Sequence, residues 1–218
     1  MKHTNEELAL IVEGCRNLGY HLPPEALSRF RTYTDLLRSW NRRINLFSRR
    51  DEAHLVLRHI LPSLAPLAVL PKGPLRVMDI GSGAGFPGLP LKIVRGEISI
   101  ALVESKRLRA LFLRRVVEEL ALEGVQVIQG RAEVIAQGPA HRGAYDWAIA
   151  RAVADLSTLL RYVSPFLRER GGLIAYKSLE RAERELMGWD IRWEAYRISV
   201  HPSSVPVALV VIRSSAHR

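Results

Sequence analysis

Residues 76 to 92 read RVMDIGSGAGFPGLPLK. A short apolar run, Val77-Met78-Asp79-Ile80, is followed by glycines at 81, 83, 85 and 88 and prolines at 87 and 90. A buried strand that hands over to a helix around a ligand has this form, because glycine lets the backbone approach the ligand closely. Two fingerprints are nested in the turn. Gly81-x-Gly83-x-Gly85 fits the S-adenosyl-L-methionine loop of methyltransferases, and Gly83-x-Gly85-x-x-Gly88 fits the dinucleotide pattern.

Four features favour S-adenosyl-L-methionine. Asp79 stands two residues before the first glycine, where an acid can hold the loop or the ligand's amine. The strand ends at Ile80, so Gly81 is the first turn residue; the dinucleotide reading leaves Gly81-Ser82 as an insertion. Glu104 closes the next strand-like run, placed to accept hydrogen bonds from both ribose hydroxyls. Gly130-Arg131-Ala132-Glu133 follows the third run, where an adenine would lie. Gly81, Gly83, Gly85, Asp79, Glu104, Ala132 and Glu133 are therefore the expected cofactor residues. A nicotinamide dinucleotide is the rival ligand.

Outward from the loop, apolar runs at 75–80, 98–104, 125–130, 145–151 and 173–177 alternate with helical stretches, clearest at 105–122 and 155–169. That rhythm implies a parallel sheet covered on both faces. Residues 192–200 and 207–213 break it, and their closeness in sequence predicts antiparallel pairing. Pro71-Lys72-Gly73-Pro74 marks a boundary. Before it the pattern is helical. Asn5 is the expected cap of a first helix, and Pro23-Pro24 opens a second whose apolar face carries Leu27, Phe30, Tyr33, Leu36, Leu37 and Trp40. Asp51 is the expected cap of a third. The expected fold is α/β: a Rossmann-like class I methyltransferase fold with a mostly parallel seven-stranded sheet, an antiparallel terminal hairpin and an N-terminal helical extension. Residues 1–72 form the helical segment packed on the core, and residues 73–218 the cofactor-binding core.

Composition narrows the partners. Of 32 Lys and Arg residues against 22 Asp and Glu, only five are lysine; the formal net charge is +10. Arginine's planar fork suits phosphates and the N7/O6 edge of guanine. No run approaches the roughly 18 apolar residues that would span a bilayer, so no membrane partner is expected. The first residues, with two acids and no long apolar core, do not read as a secretory signal. A single cysteine, Cys15, excludes a disulfide framework and a cysteine-rich metal site; it reads as a core thiol, and a reducing cytoplasm is the default location.

Absences bear on what is methylated. The [DN]-P-P-[YFW] turn that orients an exocyclic amine is missing after the fourth run. Carbon-5 of a pyrimidine requires a cysteine nucleophile, and Cys15 lies in the first helix. Ribose 2′-hydroxyl methylation usually places an Asp near the fourth strand's end, where Arg151 stands. Guanine N7 carries a free lone pair at neutral pH and needs only alignment with the methyl group. Arg131, Arg151 and Lys177 close three successive runs and are the candidate catalytic cations; the duller accounts are an ion pair of Arg151 with Asp155 or Asp146, and a snorkelling Lys177. A non-catalytic RNA-binding protein, or a methyltransferase for a small molecule or protein, remains open at this level.

The residues also resemble a family, the bacterial small-subunit rRNA guanine-N7 methyltransferases known as RsmG or GidB. The resemblance rests on Asn45-Leu46, Arg58-His59-Ile60-Leu61 with Ser63-Leu64, Asp79 through Gly88, Arg151-Ala152, and Ala175-Tyr176-Lys177. It implies a monomeric S-adenosyl-L-methionine-dependent enzyme acting on a guanine in the 530 loop of 16S rRNA. It also implies that Gly81, Phe86, Ala132, Glu133 and Arg151 contact the cofactor or its surroundings. Pro62 stands where the family often has Asp, and Ser178 where it has Gly; Pro62 is expected to disturb the third helix locally.

Overall fold

A computed structural model describes residues 2–213. Helices α1 (Lys2–Asn17) and α2 (Pro24–Asn41) come first. Four short turns follow: a 3-10 turn at Arg49–His54, a π turn at Val56–Ile60, one α-helical turn, α3 (Leu61–Leu64), and a second 3-10 turn at Ala65–Ala68. The sheet comprises β1 (Arg76–Ile80), β2 (Ser99–Glu104), β3 (Val125–Gln129), β4 (Tyr145–Ala150), β5 (Leu167–Tyr176), β6 (Trp193–Ile198) and β7 (Val207–Arg213). Helices α4 (Gly88–Val94), α5 (Arg107–Glu119), α6 (Ala132–Ile135), α7 (Leu156–Val163) and α8 (Leu179–Glu185) connect the strands.

Strand order is β3-β2-β1-β4-β5-β7-β6. The first five strands are parallel, and β7 lies antiparallel between β5 and β6. The chain's direction of travel across the sheet reverses at β1, between β2 and β4. Such a switch point opens a crevice beyond the carboxyl ends of the strands, which places ligands there.

The period of two along each strand divides the core. Val77, Ile100, Leu102, Trp147, Ile149 and Ile174 face a cluster that also holds Ile11, Phe30, Tyr33, Leu37, Leu61 and Phe112. Met78, Ile80, Val103, Ala148, Leu173 and Val210 face the other side, against Leu156, Leu159, Ala182 and Leu186. The helices before residue 70 thus share one continuous apolar core with α4, α5 and one sheet face.

Several boundaries differ from expectation. α1 begins at Lys2, so Asn5 does not cap it; the Asn5 amide oxygen accepts from Arg31 Nη2 at 3.2 Å. On α2 the buried stripe is Ala26, Phe30, Tyr33, Thr34, Leu37 and Asn41, with Leu27, Leu36 and Trp40 at its half-buried margins. Asp51 caps nothing and instead lies inside the first 3-10 turn. The helical stretch at 155–169 stops at Val163, and residues 167–172 join β5. Asp155 does cap α7, its Oδ1 accepting from the Thr158 amide at 2.8 Å. Cys15 is fully buried as expected, and burial pushes its thiol up to about 12.

The Pro71–Pro74 linker is tied down by a buried cation. Arg95, 1% exposed, donates through Nη1 to Pro71 O at 2.7 Å and through Nη2 to Gly73 O, while Nε pairs with Glu97. Each carbonyl would otherwise lack this charged donor. Arg95→Ala is expected to lower unfolding free energy by about 3 kcal/mol, measured by urea denaturation; a loss within experimental error would show that the clamp does not stabilise the fold.

Candidate functional site

The glycine turn is built at the end of β1. Gly81 and Ser82 both donate to Val103 O, at 2.9 and 3.0 Å, which pins the turn to the end of β2. Gly81 adopts φ +70°, and a Cβ there would lie 2.9 Å from Val153 Cγ2. Only glycine meets both demands. Tyr33 on α2 donates its hydroxyl to Ala84 O at 2.7 Å, so the N-terminal helices hold the turn from outside the sheet.

Asp79 is fully buried. Its Oδ2 accepts from the Gly88 amide at 3.1 Å, joining β1 to the start of α4, while its Oδ1 has no partner. Burial raises its pKa to about 7, opposed by the Gly88 hydrogen bond, the nearby Ser82 hydroxyl and Arg151, and reinforced by Glu104. Glu104 is also buried: Oε2 accepts from the Gly83 amide at 3.0 Å and Oε1 from the Lys106 amide at 2.7 Å. A carboxylate offers about four lone-pair sites, so two remain for ribose hydroxyls. Both acids thus hold the loop by its amides, with acceptor capacity left over.

Two cavities meet at Val153. One, about 220 Å³, is lined by Gly81, Val103, Ser105, Ala132, Glu133 and Tyr162 among others. Arg131 stands at its rim, largely exposed, with Nη1 3.5 Å from Glu133 Oε1. The second, about 520 Å³, is lined by Arg151, Val153, Asp155, Tyr176, Lys177 and Arg181 among others. An adenosine moiety suits the first by its mixed lining, with the apolar Ile80, Val103 and Val153 beside Ser105 and Glu133. The orphaned Asp79 Oδ1 suits a cationic amine. The residues present therefore fit S-adenosyl-L-methionine.

Arg151 follows β4 and has no carboxylate partner among the described residues. Asp155 is committed to α7, and Asp146 to Arg168 Nη1 at 2.8 Å and the Arg76 amide at 2.6 Å. The guanidinium instead donates to Arg58 O at 3.0 Å and His59 O at 3.4 Å, and lies over the Tyr176 ring, 5.6 Å from its centroid. Lys177 is different: its ammonium sits 2.9 Å from Glu185 Oε1, which also takes Arg181 Nε at 2.8 Å. The three strand-end cations are therefore unlike one another: one exposed, one held by carbonyls, one neutralised.

The resemblance segments converge around Arg151. His59 stacks on Phe86 at 5.2 Å between ring centroids and an interplanar angle of 13°, and Phe47 tilts against its other side. Its Nε2 lies 3.1 Å from Asp51 Oδ2, while Asp51 Oδ1 takes Arg58. Burial, then the Arg151 charge, lowers the His59 pKa, so the ring stays neutral at pH 7 and presents its Nε2 hydrogen to Asp51. Sequence reasoning does not find Asp51 or Tyr176 as site residues. Asp51 reads as a helix cap, and Tyr176 enters only beside Lys177 in one of the resemblance segments.

Asp79 gives a test with opposite signs for folding and binding. An acid whose pKa rises from 3.8 to about 7 on folding weighs against the folded state increasingly as pH climbs through that window. Asp79→Asn keeps an acceptor for Gly88 and removes the buried charge. At pH 8 its melting temperature is expected to equal or exceed the parent's, while calorimetry gives weaker S-adenosyl-L-methionine binding. Unchanged affinity would take Asp79 out of the ligand's reach.

Known proteins are similar to this chain in fold and in sequence. The fold resembles a methyltransferase from Geobacter sulfurreducens (TM-score 0.56, 18% identity, 89% of this chain and 91% of that one). It also resembles a SAM-dependent methyltransferase from Aquifex aeolicus (TM-score 0.54, 15% identity, 70% and 88%). In sequence the chain is 42% identical over 174 residues to the ribosomal RNA small subunit methyltransferase G of Roseiflexus sp. (strain RS-1), covering 80% of this chain and 74% of that one. It is 41% identical over 170 residues to the protein of the same name from Streptococcus equi subsp. zooepidemicus (strain H70), covering 77% and 71%. The family model described as GidB, rRNA small subunit methyltransferase G, matches residues 26–208, and the chain belongs to that family.

Proposed function

We propose that this protein transfers a methyl group from S-adenosyl-L-methionine to N7 of a guanine in 16S rRNA, in the 530 loop. The observation that carries the reading is family membership across residues 26–208 combined with a cleft at the sheet's switch point whose lining matches the chemistry. When bound, S-adenosyl-L-methionine supplies an electrophilic methyl on a sulfonium. The chain's own residues need only hold the cofactor and align the base.

Alignment without proton removal is what the cleft offers. Asp155 is the acid in its wall, and the Ser157 hydroxyl and the Thr158 amide hold that carboxyl far below the usual range. It remains an ionised helix cap, not a base. Guanine N7 has no proton to lose, so none is needed. Arg151 is half-buried and fixed, with a fork that can reach guanine O6 beside N7 or a neighbouring phosphate. Gly81, Gly83, Gly85, Phe86, Asp79, Glu104, Ala132 and Glu133 hold the cofactor in this reading, with Arg151 beside it. Lys177 and Arg131 flank the cleft as further RNA contacts. The protein acts in the cytoplasm, as a monomer, on the small subunit or its precursor; no described helix is long and apolar enough to cross a membrane.

Labelled cofactor with 16S rRNA or small subunits lacking the modification is expected to give N7-methylguanine, mapped by borohydride–aniline cleavage. Label on another atom would overturn the reading. Arg151→Ala is expected to lose at least about a hundredfold in kcat with little change in melting temperature; normal turnover would remove Arg151 from the site. Neutralising Arg42, Arg43, Arg49 and Arg50 together is expected to flatten the salt dependence of RNA binding; an unchanged slope would place the RNA elsewhere.

A further inference from the structure

Proline carries no amide hydrogen. In a regular helix the amide at position 62 would serve the carbonyl of residue 58, and Pro62 has no hydrogen to give it. The chain around it is not regular either. A π turn precedes Pro62, with the Leu61 amide reaching back to Val56 O, and a 3-10 turn follows. A carbonyl that loses its helical donor takes one from water or from another part of the chain.

Arg58 O finds it across the cleft. Arg151 Nη2 donates to it at 3.0 Å, and Nη1 lies 3.4 Å from His59 O and 3.5 Å from Ser63 Oγ. Ser63 Oγ turns its own hydrogen to His59 O at 2.6 Å, so a lone pair faces Arg151. A second, weaker instance lies one turn on. Pro66 withholds the amide that would serve Pro62 O; that carbonyl keeps a bond from the Ala65 amide and takes the Tyr176 hydroxyl at 3.0 Å. Arg151 and Tyr176 are the residues that follow β4 and end β5, and the guanidinium lies over the ring. Both side chains that reach these carbonyls thus come from the wall of the same cleft.

We propose that Pro62 is a positioning residue: by withholding an amide hydrogen it leaves Arg58 O to grip Arg151 and aim the guanidinium into the target cleft. This rests on the reading of Arg151 as a group that acts in methyl transfer. A purely structural proline would serve the turn only through its ring and its backbone restriction. A positioning proline serves it through the missing N–H.

The two roles separate by substitution in the full-length protein, assayed on unmethylated small subunits. Pro62→Ala returns an amide hydrogen to the turn and is a better helix former. It is expected to cut kcat by about tenfold, with the KM for RNA little changed and the melting temperature not lowered. Replacing Pro62 with lactate, the ester analogue of alanine, removes the N–H again without the ring, and is expected to restore kcat. Full activity in Pro62→Ala overturns the proposal, as does an ester variant no better than the alanine one, or a loss that only tracks a lowered melting temperature. Arg151→Ala distinguishes the failures. If it is inactive while Pro62→Ala is normal, only the positioning role falls; if it is active, the reading of Arg151 falls and takes the positioning role with it.

Discussion

A carboxylate sealed away from water sets the path of the chain through its most constrained stretch. Asp79 reaches across the glycine turn to the amide of Gly88, so the end of β1 and the start of α4 are fixed at one hydrogen bond. The fit is tight: a Cβ on Gly88 would lie 2.7 Å from Asp79 Oδ2 and 2.6 Å from Leu102 Cδ2. Between those two anchors the turn must pass over the ends of β1 and β2, where its amides meet Val103 O and Glu104. The other Asp79 oxygen is left bare, and an unpaired buried acceptor weighs against the folded state. A cationic amine that meets it would satisfy it.

The sheet supplies the turn and the cation but not their mutual geometry. That comes from the helices before residue 70. Tyr33 holds Ala84 O, the Phe47–His59–Phe86 column seats the far side of the turn, and Arg58 O and His59 O hold Arg151. Asp51 joins the side chains of Arg58 and His59, which steadies the backbone between them. These contacts are polar and directional, laid over the apolar core that the same helices share with the sheet. The N-terminal segment is thereby built into the cleft's geometry and not merely appended to the sheet.

Most of this architecture is written locally. Short apolar strands and the glycine turn are read from neighbouring residues, and so are Gly81 and Ala132-Glu133, which line one cavity. What escapes is decided at long range. The Arg168-Glu169-Arg170 run looks like the charged end of a helix, yet it forms the exposed start of β5, with Arg170 at φ +62°. Pro62 announces a disturbed third helix, which is found, but nothing near it in sequence says that Arg151, 93 residues from Arg58, takes the freed carbonyl. Asp51 has the composition of a cap, and the tighter 3-10 winding turns it toward Arg58 and His59 instead. Glu185, which neutralises Lys177, lies eight residues along the chain, and a turn followed by a helix brings it back.

The different treatment of the cleft's cations has a physical logic in the proposed reaction. An N7-methylated guanine is itself a cation, so a strong bare positive field beside it would oppose product formation at short range. Lys177 and Arg181 share the Glu185 carboxylate, which offsets one of their two charges while leaving their remaining N–H groups to contact RNA. Arg151 cannot be treated in the same way. A carboxylate partner would compete for the guanidinium edge that must face the base, and it would hold the fork in its own plane. Backbone carbonyls are gentler: their dipoles stabilise the charge and fix two nitrogens without adding a full opposing charge. The residue that must orient the base is thus gripped by neutral groups, and the residues that need only attract the strand are paired with an acid.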